Sequence, residues 1–198
     1  MKRLNVNYHR LTSVDDIMWL LNIRGNDVKY SPLLMSFAII GEEQILLFAD
    51  ENKIPLKIAR EFDKLDIVIL PYEETAGMLS TLSAGSTILI TPGTTSAALY
   101  NSIPAGMKIT EDISIPTRLK AIKNKVEIEN IGKVMVKDGV ALTKFFIWIE
   151  KNSGSVLMSE LSLTEKLNFL RSTQENYLGP SFPPITAYNE HGAFPPSP

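Results

Sequence analysis

Four short apolar runs recur between residues 33 and 90, namely LLMSFAII (33–40), ILLFA (45–49), DIVIL (66–70) and STILI (86–90). From the second run onward they are separated by stretches with helical spacing. Runs this short, bounded by turn residues, are strand-like, and amphipathic helices inserted between them must pack on the faces of the resulting sheet. A layered α/β domain follows from this alternation alone. The first two runs are separated only by Gly41-Glu42-Glu43-Gln44, so they are expected to pair as an antiparallel hairpin.

The segments around the runs carry helix signals. Ser13 to about Asn22 reads as a helix, with Ser13 as cap and Asp15 and Asp16 at the positive end of the dipole. Ile17, Leu20 and Leu21 keep its apolar spacing, and Arg24-Gly25 is expected to stop it, with Gly25 at positive φ. Pro55 to Lys64, Tyr72 to Leu82 and Thr94 to Ser102 are further helices, and the domain closes near Asp112 to Pro116. Beyond this point, Leu119 to Lys151 reads as one long helix. Ile131, Met135, Asp138, Leu142, Phe145 and Ile149 form one face of it, with Asp138 as the polar exception. Gly139 weakens that helix by about 1 kcal/mol relative to Ala. A last helix runs from Ser159 or Ser162 to Gln174, followed by a proline-rich tail. Ser162 with Glu165 has capping-box spacing, and Ser159 is the rival cap.

Composition narrows the function classes. The 198 residues suffice for one α/β domain plus part of another. The hydrophobic fraction of 44% and charged fraction of 21% are those of a globular chain. A net charge of −2 without a basic cluster argues against nucleic-acid binding. No apolar run approaches a membrane span, and MKRLNVNYHRL lacks the apolar stretch of a secretory signal. With no cysteine, disulfides and thiol catalysis are excluded, and a cytoplasmic location is the default.

No motif assembles a reaction centre. His9 and His191 lie at opposite ends of the chain. His9 is expected in a mobile N-terminal segment without a role, and His191 beside Glu190 lacks metal-ligand spacing. Thr91-Pro92-Gly93-Thr94-Thr95-Ser96 follows a strand and opens a helix, so its backbone N–H groups can face an anion. It has one glycine and no lysine, which makes it a capped turn rather than a phosphate loop. The pairs Asp15-Asp16, Glu42-Glu43 and Glu73-Glu74 read as solvated carboxylates at helix starts and turns. Trp19, Phe145, Phe146 and Trp148 read as core. Catalytic residues and metal ligands are thus expected to be absent, and no substrate-binding residue is assigned.

Two stretches nevertheless resemble a known family. Asp16, Trp19, Leu20, Leu21, Asn22, Ile23, Arg24, Gly25, Asp27, Tyr30 and Pro32 match the pattern that opens the second domain of three-domain Xaa-Pro aminopeptidases. Lys120 to Asn124, Glu127-Ile128, Asp138 to Leu142, Trp148, Ser159-Glu160, Leu167, Phe169 to Arg171 and Ser181-Phe182 are similar to the entry of that family's pita-bread catalytic domain. The resemblance implies a creatinase N-terminal-like, ribonuclease H-like three-layer domain over 1–112. It also implies the first helices of a truncated pita-bread domain over 113–198. For the full-length enzyme it implies a cytosolic peptidase that acts on proline-containing peptides. Two divalent metals, usually manganese, would be held there by two Asp, one His and two Glu, activating a water. The chain departs from the family after Ala193. The expected histidine would align near Pro196, and His191 comes too early to replace it. No catalytic residue carries over, so the chain alone is expected to be inactive. Self-association through the long helix is expected because its apolar face lacks a partner. A non-catalytic interaction module descended from such a peptidase is the alternative.

Overall fold

The structure, a computed structural model, describes residues 1–193. It divides into two compact units, Met1–Ile122 and a second that begins at Lys123. The first contains β1 (Tyr8–Leu11), α1 (Val14–Leu21), β2 (Phe37–Ile40), β3 (Ile45–Phe48), α2 (Leu56–Asp63), β4 (Ile67–Leu70), α3 (Thr75–Ser80), β5 (Thr87–Ile90), α4 (Ala97–Asn101), β6 (Lys108–Glu111) and α5 (Ile115–Ala121). The second contains α6 (Lys125–Asn152) and α7 (Glu160–Ser172).

One mixed sheet organises the first unit, in the order β4-β3-β2-β1-β5-β6. β2 and β3 form the antiparallel hairpin read from sequence, closing at Ile40↔Ile45. β1 is antiparallel to β2 but parallel to β5, and β5 is parallel to β6. Successive residues of the hairpin serve opposite faces, as the strand period requires. Ala38 and Leu47 join a core with Ile17, Met18 and Phe62 from α1 and α2. Ile39, Leu46 and Phe48 join a second core with Leu79, Ile103 and Met107. Helices therefore cover both faces, which is the three-layer α/β arrangement.

Several local readings change. β1 and β6 had no apolar run to announce them, yet β1 lies inside the sheet between β2 and β5. His9 is consequently a fully buried strand residue, at 0% exposure, and not part of a mobile terminus. Asn22, not Gly25, takes the left-handed conformation that ends α1, at φ 51°. Gly25 is needed for another reason: a Cβ there would stand 2.5 Å from the Leu34 backbone nitrogen. The first compact unit runs to Ile122, and α5 is tied back to α1 by side-chain bonds described below.

The expected helix from Leu119 to Lys151 is two helices. Asn124 interrupts it: its side chain accepts from the Glu127 N–H at 3.0 Å, and the Glu127 carboxylate accepts from the Asn124 N–H at 2.8 Å. This reciprocal cap starts α6 afresh and satisfies donors that a continuous helix would not leave open. Ser159 is the cap of α7. It exchanges hydrogen bonds with Ser162, at 3.2 and 2.9 Å, so Ser162 occupies the position usually filled by Glu or Gln. Asp138 is an anchor rather than an exception on α6. Its carboxylate accepts from Arg171 Nε at 2.7 Å and Nη2 at 3.3 Å, next to the buried Ala141. Leu142, Phe145 and Ile149 are half-buried, whereas Ile131, Met135 and Phe146 remain exposed.

Candidate polar site at the strand ends

β1, β5 and β6 run parallel, so their carboxyl ends lie together at one edge of the sheet. The chain leaves β1 towards α1, whose Ile17 and Met18 pack in one core. It leaves β5 towards α4 and Ile103, which packs in the other. Neighbouring parallel strands whose connections depart to opposite faces open a crevice at their carboxyl ends, the usual binding position in open α/β sheets. A cavity of about 220 Å³ occupies this position, lined among others by Arg10, Thr12, Asp16, Thr94, Ser114 and Thr117.

The accessible lining is mostly apolar, and a set of buried polar groups lies against it. Arg10 is 1% exposed, and its Nη2 donates to the Thr95 hydroxyl. Thr95 in turn donates to the Thr91 carbonyl at 2.8 Å. The Thr12 and Thr94 hydroxyls share a hydrogen bond at 2.7 Å. Asp16 is fully buried at 0% exposure. It accepts from the Thr117 hydroxyl at 2.7 Å, and its other oxygen lies 2.7 Å from Lys120 Nζ. Lys120 also pairs with Asp15. Burial alone would push the Asp15 carboxyl up, but the hydrogen bond and charge of Lys120 hold it below the ordinary range. Burial acts to lower the Lys120 ammonium, and its two carboxylate partners outweigh this and raise it.

Asp15 is an exposed carboxylate in the first turn of α1, as its sequence position implies, but Asp16 is not solvated. Asp16 is a buried acceptor that fastens α5 to α1. His9 sits beside this network. Burial pushes its pKa from 6.5 down to about 4, against the opposing charge of Asp16, so the ring is neutral at physiological pH. The turn 91–96 remains a capped strand-to-helix turn, with the Ser96 hydroxyl accepting from the Leu99 N–H at 3.4 Å. Thr91 and Thr94 of this turn also line the cavity, which local sequence did not disclose.

His191 lies elsewhere, in the second unit. Its Nδ1 is 3.0 Å from the Glu160 carboxylate, which also accepts from the Tyr188 N–H at 2.7 Å. Both partners are solvent-facing and no third ligand joins them. Glu42 and Glu43 occupy the exposed hairpin turn, and Glu73 and Glu74 a short 3₁₀ turn before α3. Trp19, Phe145 and Trp148 are half-buried. Among the described residues no group of three or more His, Cys, Asp and Glu could hold a metal ion. The described residues thus do not fit a metal centre. No described helix is long and apolar enough to cross a membrane.

A family profile described as the creatinase/prolidase N-terminal domain matches residues 1–127. The Xaa-Pro aminopeptidase ApepP of Drosophila melanogaster is 35% identical over 98% of this chain and 32% of its own length. An X-prolyl aminopeptidase from Caenorhabditis elegans, described as a cytosolic enzyme with a di-nuclear active site, superposes with a TM-score of 0.86 at 32% identity. That match covers 91% of this chain and 30% of that one. A Xaa-Pro dipeptidase from Bacillus anthracis shares the fold, with a TM-score of 0.61 at 14% identity over 86% of this chain and 45% of its own. The chain spans about a third of the length of the curated relatives it matches. The match over residues 1–127, with the three-layer sheet that those residues build, places the chain in the creatinase/prolidase N-terminal domain family.

Proposed function

We propose that this chain supplies non-catalytic framework to an Xaa-Pro aminopeptidase, a cytosolic, metal-dependent enzyme that releases an N-terminal residue preceding proline. The observation that carries the reading is the likeness to the C. elegans X-prolyl aminopeptidase, at 32% identity and a TM-score of 0.86. In this reading residues 1–122 help to shape the substrate cleft, and the two divalent metals, manganese by family resemblance, are held by residues outside those described. A catalytic metal takes at least three protein ligands, and the described residues gather no such set. No step of peptide hydrolysis is therefore assigned to them.

Two assays test this. Purified chain supplied with manganese and an Xaa-Pro peptide is expected to show no cleavage, and robust metal-dependent cleavage would overturn the framework role. A chimaera of the C. elegans enzyme carrying residues 1–122 in place of its matching segment is expected to retain cleavage. A folded, metal-loaded chimaera without activity would refute the assignment to this enzyme class.

The exposed Ile128, Ile131 and Met135, which share one side of α6, favour a second reading, in which the chain acts by association. Self-association through this side of α6 is the form it takes.

A further inference from the structure

The strand-end cavity is lined by a buried cation that forms no ion pair. Arg10 is 1% exposed, and among the described residues it forms no ion pair; its nearest polar partner is the neutral Thr95 hydroxyl. Its Nε and Nη1 are buried without a hydrogen-bond partner, and so is the hydroxyl of Ser114, which caps α5 without a side-chain bond. Both residues line the cavity. An isolated buried charge is costly unless paired, and each unsatisfied buried donor adds to that cost. Burial lowers the Arg10 pKa only to about 10, so the guanidinium remains charged at neutral pH.

The other polar groups of the wall have their hydrogens committed. Thr117 donates to Asp16, Thr91 to the Asp112 carbonyl at 3.0 Å, and Thr94 to the Thr91 carbonyl at 3.3 Å, leaving Thr12 to donate to Thr94. The one carboxylate lining the cavity, Asp16, has Lys120 at 2.7 Å and shares it with Asp15. What remains without a partner beside the space are two guanidinium nitrogens of Arg10 and the Ser114 hydroxyl. We infer that the cavity at the carboxyl ends of β1, β5 and β6 binds a small oxyanion, with Arg10 supplying the charge and Ser114 a hydroxyl donor. A phosphate and a carboxylate present the same acceptor chemistry to these groups. The position is the crevice where such sheets commonly take ligands.

The test is titration calorimetry of the full chain with inorganic phosphate and, separately, with acetate, against chloride at matched ionic strength. Saturable binding of one of them at one site per chain is expected, and the anion that binds identifies the source chemistry. Ser114→Ala removes one neutral donor and should weaken that binding roughly tenfold, the worth of one hydrogen bond. Arg10→Met should abolish it; should that variant fail to fold, Ser114→Ala, checked by circular dichroism, still decides the question. Absence of binding beyond the chloride control, as for a cavity that holds only water, overturns the proposal. So does binding that Ser114→Ala leaves unchanged.

Discussion

The Thr117 hydroxyl donates to the Asp16 carboxylate at 2.7 Å, joining α5 to α1 across 101 positions of sequence. The same carboxylate has Lys120 Nζ at 2.7 Å, so one buried acceptor receives two groups from one helix. This is why α5 belongs to the first compact unit. Removing the carboxylate takes one carboxylate partner from Lys120 and the acceptor from the Thr117 hydroxyl. Asp16→Ala is expected to destabilise the first unit by about 3–5 kcal/mol. Thr117→Val should cost about 1.5–3 kcal/mol, the range for a hydrogen bond to a charged group. Urea unfolding would measure both, and losses below about 0.5 kcal/mol, the level of an ordinary surface change, would show that the junction is held otherwise.

His9 makes stability depend on pH. Neither ring nitrogen has a hydrogen-bond partner, and burial pushes the pKa from 6.5 to about 4. The unfolded chain therefore binds a proton in a range where the folded chain does not. The stabilisation is complete above pH 6.5 and is lost as the pH falls towards about 4. Over that window the loss should approach about 3 kcal/mol. His9→Leu should flatten the profile between these limits. A wild-type and a variant profile that run parallel from pH 7 to pH 4 would refute this.

Two glycines should respond in opposite directions to alanine. At Gly25 the added Cβ would stand 2.5 Å from Leu34 N, a backbone atom that cannot move aside alone. Gly25→Ala should cost about 1–3 kcal/mol, as overpacking does. At Gly139, inside α6, the Cβ would meet nothing within 4 Å. Gly139→Ala should stabilise that helix by up to about 1 kcal/mol through propensity alone. Thermal unfolding of the two variants checks the signs.

Self-association through α6 predicts a concentration-dependent sedimentation coefficient. Ile131 and Met135 are exposed, whereas Phe145 and Ile149 are half-buried. Ile131→Glu with Met135→Glu should therefore disperse the assembly without loosening the helix. Glutamate at 145 and 149 would disturb packing and confuse the result. A wild-type chain that sediments as a monomer at every concentration would rule the contact out.

Elements with a local signal are legible in the amino-acid order. The hairpin of β2 and β3, the helices α2 and α7, and the strands β4 and β5 all follow from apolar periodicity and turn residues, because a face that must leave water records itself in residue type; that β4 is an edge strand with Val68 exposed was not legible there. The residues from Asp16 to Pro32 also carried the family resemblance. The polar interior, by contrast, arises from long-range packing. Tyr8-His9-Arg10-Leu11 has no apolar run, yet it is an internal strand, because β2 and β5 satisfy its backbone from both sides. Asp16 reads locally as a capping carboxylate and becomes a buried acceptor only because Thr117 and Lys120 arrive from a distant helix. The cavity has the same origin. Arg10, Thr94 and Ser114 lie after three different strands or within one, and parallel pairing brings those strand ends together. Burial of polar groups is set by partners far along the chain, and a local pattern contains no record of them.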